Sequence, residues 1–177
     1  MELERKFAWS DMFVHPDDDP RAAAGYTTER DTLVGFLRDQ RLTLELKCAG
    51  LDAEAMAKRS VEPSDLSLLG LVRHMARVEH AWFRRTMVGD PAPRLFPDNS
   101  DFEGAVADPE VVAEAWALWR AEVAFAEQYV ADNPDMGHVG KHGSVLRDVM
   151  VSMIEEYARH NGHADFLRER IDGRVGR

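Results

Sequence analysis

Cysteine is nearly absent. Cys48 is the one thiol among 177 residues, so no intrachain disulfide can form. It lies in a helical pattern beside Leu44 and Leu51 and is read as a small buried apolar residue. A nucleophilic role would need a lowered thiol pKa, and the sequence assigns it no histidine or basic partner. Long hydrophobic runs are missing too. No window approaches ~18 consecutive apolar residues, so no transmembrane helix is expected. No apolar run follows the polar start MELERK, which argues against a secretory signal and for a cytoplasmic protein. Positive charge is in deficit: the formal net charge is -10. So acidic a surface repels nucleic-acid phosphates and anionic membranes, and neither is an expected partner; a small-molecule substrate is expected from the candidate site.

Proline is missing from four long stretches, although the chain contains eight prolines. A proline inside a helix costs about 3 kcal/mol, so its absence marks where helices can run. Each stretch carries apolar residues at helical spacing. The first helix is expected over 29–49, with Thr28 as N-cap, Glu29 and Asp31 in the first turn and Gly50 as the stop. Its stripe is Leu33, Phe36, Leu37, Leu44 and Cys48. The second is expected over 67–88, with Leu68, Leu71, Val72, Met75, Val78 and Trp82 on one face and Gly89 at its end. A loop over 89–108, with Pro91, Pro93 and Pro97, is long enough to cross the fold. The third helix begins with Asp108 as cap and Pro109 in the first helical position, and ends near Pro134. Its stripe includes Val112, Ala115, Trp119, Val123, Ala126 and Val130. The fourth runs from a cap at Ser144 to Asp172, with Gly173 closing it. Its stripe includes Leu146, Met150, Met153, Tyr157, Ala164, Leu167 and Ile171.

Period-two alternation is missing over any useful length, which predicts little or no sheet. Four amphipathic helices without strands predict an all-α, four-helix bundle with a long connection between helices 2 and 3. Residues 29–177 are expected to form this domain. Residues 1–28 lack periodicity and are expected to form an N-terminal arm, packed on the bundle through Phe7, Trp9 and Phe13.

Seven histidines are present, and position on the helical wheel separates them. His74 lies about 40° from Val78 and about 60° from Leu71, at the border of the apolar face. His80 falls on the opposite side and is expected to be solvated. In the fourth helix His160 lies within the stripe, with Glu156 one turn earlier at its edge and His163 further round that edge. Glu155 points away. A glutamate and a histidine four apart can bring two ligands to one ion. The same pattern also arises from a hydrogen-bonded core histidine beside a surface glutamate, and the spacing does not decide between them. With a third ligand from a facing helix, two nitrogens and one carboxylate suit zinc, nickel or iron. Three protein ligands leave a position open for chemistry.

The segment LLGLVRHMARVEHAWF (68–83) resembles the second helix of the DinB-like superfamily, whose metal histidine matches His74. The segment MIEEYARHNGHADFLRERIDG (153–173) closely resembles the last helix of its branch called mini-circle proteins. The resemblance extends over roughly 28–173. Related mycothiol-dependent maleylpyruvate isomerases use a His, Glu, His triad, which implies His74, Glu156 and His160 as metal ligands here. Where many relatives carry the first of two histidines on the last helix, this chain has Glu156. His163 is not a ligand in the usual pattern; the resemblance leaves it a supporting hydrogen-bonding role or a catalytic one as proton carrier. The superfamily includes transferases and isomerases that use mycothiol, bacillithiol or glutathione, with a metal lowering the thiol pKa. The resemblance therefore implies a DinB-like bundle, frequently homodimeric, acting as a metal-dependent S-transferase or isomerase with a mycothiol-type cofactor. Two other readings stay open: a metal-dependent hydrolase, and a non-catalytic, stress-related bundle. Arg73, Arg77, Arg84, Arg85 and Arg159 are read as solvated surface arginines, with binding of an anionic substrate as the alternative.

Overall fold

The computed structural model describes residues 13–21 and 25–175. Six α-helices follow in order: α1 (Glu29–Cys48), α2 (Ala53–Ala57), α3 (Leu68–Glu79), α4 (Ser100–Glu103), α5 (Pro109–Asp132) and α6 (Leu146–Asp172). A 3-10 turn at Pro16–Asp18 precedes them, and α3 continues as a π-helix over His80–Val88. Among the described residues there is no strand, only an isolated antiparallel bridge between Val139 and Val145. The two short helices α2 and α4 carry too few residues for a periodic signal, so neither was expected.

Local chemistry places the helix ends. Thr28 Oγ1 accepts from the Asp31 amide at 3.1 Å and Ser67 Oγ from the Gly70 amide at 3.1 Å. Asp108 accepts from the Glu110 amide at 2.8 Å, with Pro109 at the first helical position. Gly89 (φ 77) and Gly173 (φ 81) end their helices in the left-handed conformation that a Cβ disfavours. The start of α6 differs from expectation. Ser144 is not its cap; Val145 precedes the first turn and offers no capping side chain. The Leu146 and Arg147 amides instead donate to the carbonyls of His138 (2.8 Å) and Met136 (3.0 Å). A neighbouring loop thus satisfies the free N–H groups that a cap would take.

The four long helices form the bundle. α1 packs along α6, and α3 along α5, with α3 also against α6. Leu37, Leu44, Cys48, Leu68, Leu71, Val72, Met75, Phe83, Ala115, Trp119, Met150, Met153, Tyr157 and Leu167 are buried in one core. Phe36 was expected in that core but is 51% exposed. The face of α1 turned to the core is centred on Leu37, Leu44 and Cys48, and Phe36 lies about 100° round from Leu37. His80 is a second correction: it is 4% exposed, not solvated. α3 is the central helix, covered by α2, α4, α5 and α6, so its supposedly outer side faces α5. There His80 Nδ1 lies 3.5 Å from Glu122 Oε2. Of the arm, Phe13 sits beneath Lys47 Nζ (5.1 Å) and the Arg168 guanidinium (5.5 Å). Phe7 and Trp9 lie outside the described residues.

A polar chain crosses the apolar interior and joins all four long helices. Arg41 of α1 grips Glu79 of α3 through two 2.8 Å bonds. Tyr157 of α6 donates to Glu79 Oε1 at 2.8 Å, and Trp119 of α5 donates to the Tyr157 hydroxyl at 2.8 Å. All four residues are buried. The paired charges satisfy each other where water cannot reach them.

Candidate metal centre

α3 carries His74, and α6 carries Glu156, His160 and His163 one turn apart. The packing of α3 on α6 brings the first three together. Each offers one ligand atom, and these atoms all lie within 4.8 Å of one another. The His74 and His160 ring centroids are 4.5 Å apart, and His160 Nε2 is 3.5 Å from Glu156 Oε2. All three side chains are partly buried, the imidazoles more deeply than the carboxylate. His163 is adjacent: its Nδ1 lies 3.4 Å from His160 Nδ1.

A fourth residue, unforeseen in the sequence, completes the cluster. Asp101 of α4 is fully buried, and its Oδ2 is 3.0 Å from His74 Nδ1. Arg77 Nη2 lies 3.0 Å from the same oxygen and 3.0 Å from His74 Nδ1. A carboxylate at this distance accepts the Nδ1 proton, so the Arg77 N–H serves Asp101 and not the ring. The tautomer follows: His74 carries its proton on Nδ1 and its lone pair on Nε2.

α4 is held in place by α3. Arg73 donates to the backbone carbonyls of Asp101 and Ser100, each at 2.9 Å, while its guanidinium lies 4.1 Å above the Phe96 ring. Gly70 permits the close approach, because a Cβ there would meet the Phe102 ring at 2.8 Å. Phe102 in turn lies 5.3 Å from the His74 ring. No local signal marked Asp101: Asn99 precedes α4 in the left-handed conformation and makes no side-chain capping bond. Its meeting with His74 was not legible either, because the two are 27 positions apart.

Both imidazoles are held neutral. Burial, then the neighbouring His74, His163 and Arg159, pushes His160 down to about 4. Burial lowers His74 as well, against the opposing pull of its bond to Asp101. A neutral imidazole keeps the lone pair that a metal takes. The His74 Nε2 atom is buried and finds no hydrogen-bond partner among the described residues. A buried lone pair left bare is costly, and a cation between His74, Glu156 and His160 relieves it. The donor set, two nitrogens and one carboxylate oxygen, therefore fits a divalent metal of the zinc class.

The depressed His160 pKa has a consequence for folding. An unfolded histidine titrates near 6.5 and the folded one at about 4. Between these values only the unfolded chain binds the proton, so acidification favours unfolding and the contribution is lost as pH falls from about 6.5 to about 4. In urea unfolding with a chelator present, wild type is expected to lose more stability from pH 7 to 4.5 than His160→Gln. Parallel pH dependences would contradict the assignment.

The remaining candidates take other roles. Cys48 is 5% exposed and burial pushes its thiol up to about 12, which removes it as a nucleophile. His138 pairs with the Tyr129 hydroxyl at 2.9 Å. Arg84 is bound to Glu122 at 2.6 Å and Arg159 to Glu155 at 3.2 Å. No helix among the described residues is long and apolar enough to cross a membrane.

No curated protein and no solved structure matches this chain. A family model does: residues 32–173 match the one described as mycothiol-S-transferase. That span includes the four long helices from Thr32 onward, His74, Asp101 and the whole Glu156–His160 turn. The chain therefore belongs to the mycothiol-S-transferase family, within the DinB-like superfamily.

Proposed function

We propose that His74, Glu156 and His160 hold a divalent metal, zinc first and nickel or iron as alternatives. We further propose that the protein transfers or uses a low-molecular-weight thiol of the mycothiol type. The observation that carries this reading is the convergence of three ligand atoms within 4.8 Å, from two helices, around a buried imidazole nitrogen without a partner. Membership of the mycothiol-S-transferase family supports the thiol. A bound dication would supply Lewis acidity, favouring the thiolate of an incoming thiol at neutral pH.

The chain's own residues prepare that chemistry. Asp101 orients His74 and fixes its tautomer. His163, next to His160 Nδ1, accepts that ring's proton and leaves His160 Nε2 for the metal, the atom nearest Glu156. In this position His163 orients a ligand and is also placed to carry a proton during turnover. Cys48 is buried, so the reactive sulfur arrives with the cofactor. The functional unit is taken as residues 29–177 with 1–28 as an arm, and as a cytoplasmic homodimer.

Two measurements test the reading. Zinc-loaded protein is expected to bind mycothiol, bacillithiol or glutathione in a calorimetric panel. Binding of none of them would remove the thiol reading, and ester or amide turnover without thiol would favour a hydrolase. Asp101→Asn removes the charge behind His74 and is expected to weaken zinc about 10-fold or more in competition with a chromophoric chelator. An unchanged affinity would discount Asp101 as a support of the metal.

A further inference from the structure

A cavity of about 290 Å³ lies along the junction of α3 and the π-helix, facing the loop at 94–95. Arg77, His80, Trp82, Arg85, Arg94 and Leu95 line it. No acidic residue among the described ones joins this lining. A pocket with three arginines runs against the sign of a chain whose net charge is -10.

The arginines are not equally committed elsewhere. Arg77 gives one nitrogen to Asp101, and Arg85 Nη1 donates to the Ala92 carbonyl at 2.6 Å. Each guanidinium has five N–H donors, so both keep donors to spare. Arg94 is exposed and makes no hydrogen bond or ion pair among the described residues. Arg73, Arg84 and Arg159 are held away by the contacts given above. His80, 4% exposed, lines the cavity with both ring nitrogens buried and without a hydrogen-bond partner among the described residues. Its Nδ1 reaches only Glu122, at 3.5 Å.

From these features we infer a binding site for a small organic carboxylate. The planar forks of Arg85 and Arg94 match a carboxylate. Trp82 and Leu95 give the apolar wall that an organic body needs and an inorganic anion does not. Arg77 joins this cavity to the cluster at His74, since it lines the one and lies 3.0 Å from the other. The carboxylate site stands by itself; its further role, anchoring the electrophile that accepts the thiol, rests on the function proposed above.

The test titrates benzoate into zinc-loaded full-length protein by calorimetry, with benzamide and inorganic phosphate as competitors. Benzoate is expected to bind, and Arg94→Ala to weaken it about tenfold. Arg94 is exposed and unpaired, so this variant keeps the fold. His160→Ala is expected to leave benzoate binding intact, which separates this cavity from a metal-bound anion. The inference is overturned by absence of binding, by binding that Arg94→Ala does not change, or by binding lost with His160→Ala. Competition by benzamide or phosphate as strong as by benzoate itself would overturn it as well. Failure of the thiol panel leaves the carboxylate site standing, and failure here leaves the metal and the thiol standing.

Discussion

His160→Ala is expected to strip the protein of bound metal and with it any metal-dependent activity. The imidazole lies between His74 and Glu156, and without it two donors remain on different helices. Loss of a group that only supports a ligand costs about 10–100-fold in affinity, so loss of a ligand costs more. The check is metal content by mass spectrometry on protein purified without a histidine tag, wild type beside variant. Near-stoichiometric zinc, nickel or iron in the wild type and background levels in the variant are expected. Added zinc should also raise the wild-type melting temperature, since binding to the folded state alone stabilises it by mass action, while the variant should not respond. Equal metal in both proteins would place the ion elsewhere. No metal in either, and no uptake on titration, would leave a non-catalytic bundle.

Glu79→Leu is expected to produce the largest loss of folding stability. Glu79 is fully buried and holds Arg41, itself 6% exposed, by two hydrogen bonds. Leucine leaves the guanidinium buried with only Glu127 near it, at 3.5 Å, and takes the acceptor from the Tyr157 hydroxyl. Breaking one side of a buried pair costs about 3–5 kcal/mol. In a domain of this size that lowers the melting temperature by about 6–20 °C. Urea unfolding measures it. The double variant Arg41→Met, Glu79→Leu should recover much of the loss, because two apolar groups leave no charge stranded. A loss below about 1 kcal/mol, or a double variant no better than the single one, would mean that Arg41 finds another partner or water.

Much of this molecule was legible before any coordinates. Proline-free amphipathic stretches, Thr28 and Asp108 at helix starts, and Gly89 and Gly173 at helix ends act within one or two turns of chain. Local hydrogen bonds and a period of 3.6 residues therefore determine them. The same locality put Glu156 and His160 on one side of a single helix. It could not say that His74, more than eighty positions away, faces them; the resemblance to DinB-like proteins supplied that expectation. Only the packing of α3 on α6 brings the three side chains together, and only the fold of the 89–108 connection delivers Asp101 behind His74. His80 makes the same point in reverse. The helical wheel set it opposite the apolar stripe, but α5 covers the side that a wheel treats as solvent. Arg41 and Glu79 look like surface charges in one dimension and become a buried pair because α1 and α3 bury both residues. Helix ends and apolar stripes are short-range properties of the chain, and the sequence alone determined them. Which side chains share a site or lose their water depends on how helices pack across long sequence separations, and the tertiary structure decided that.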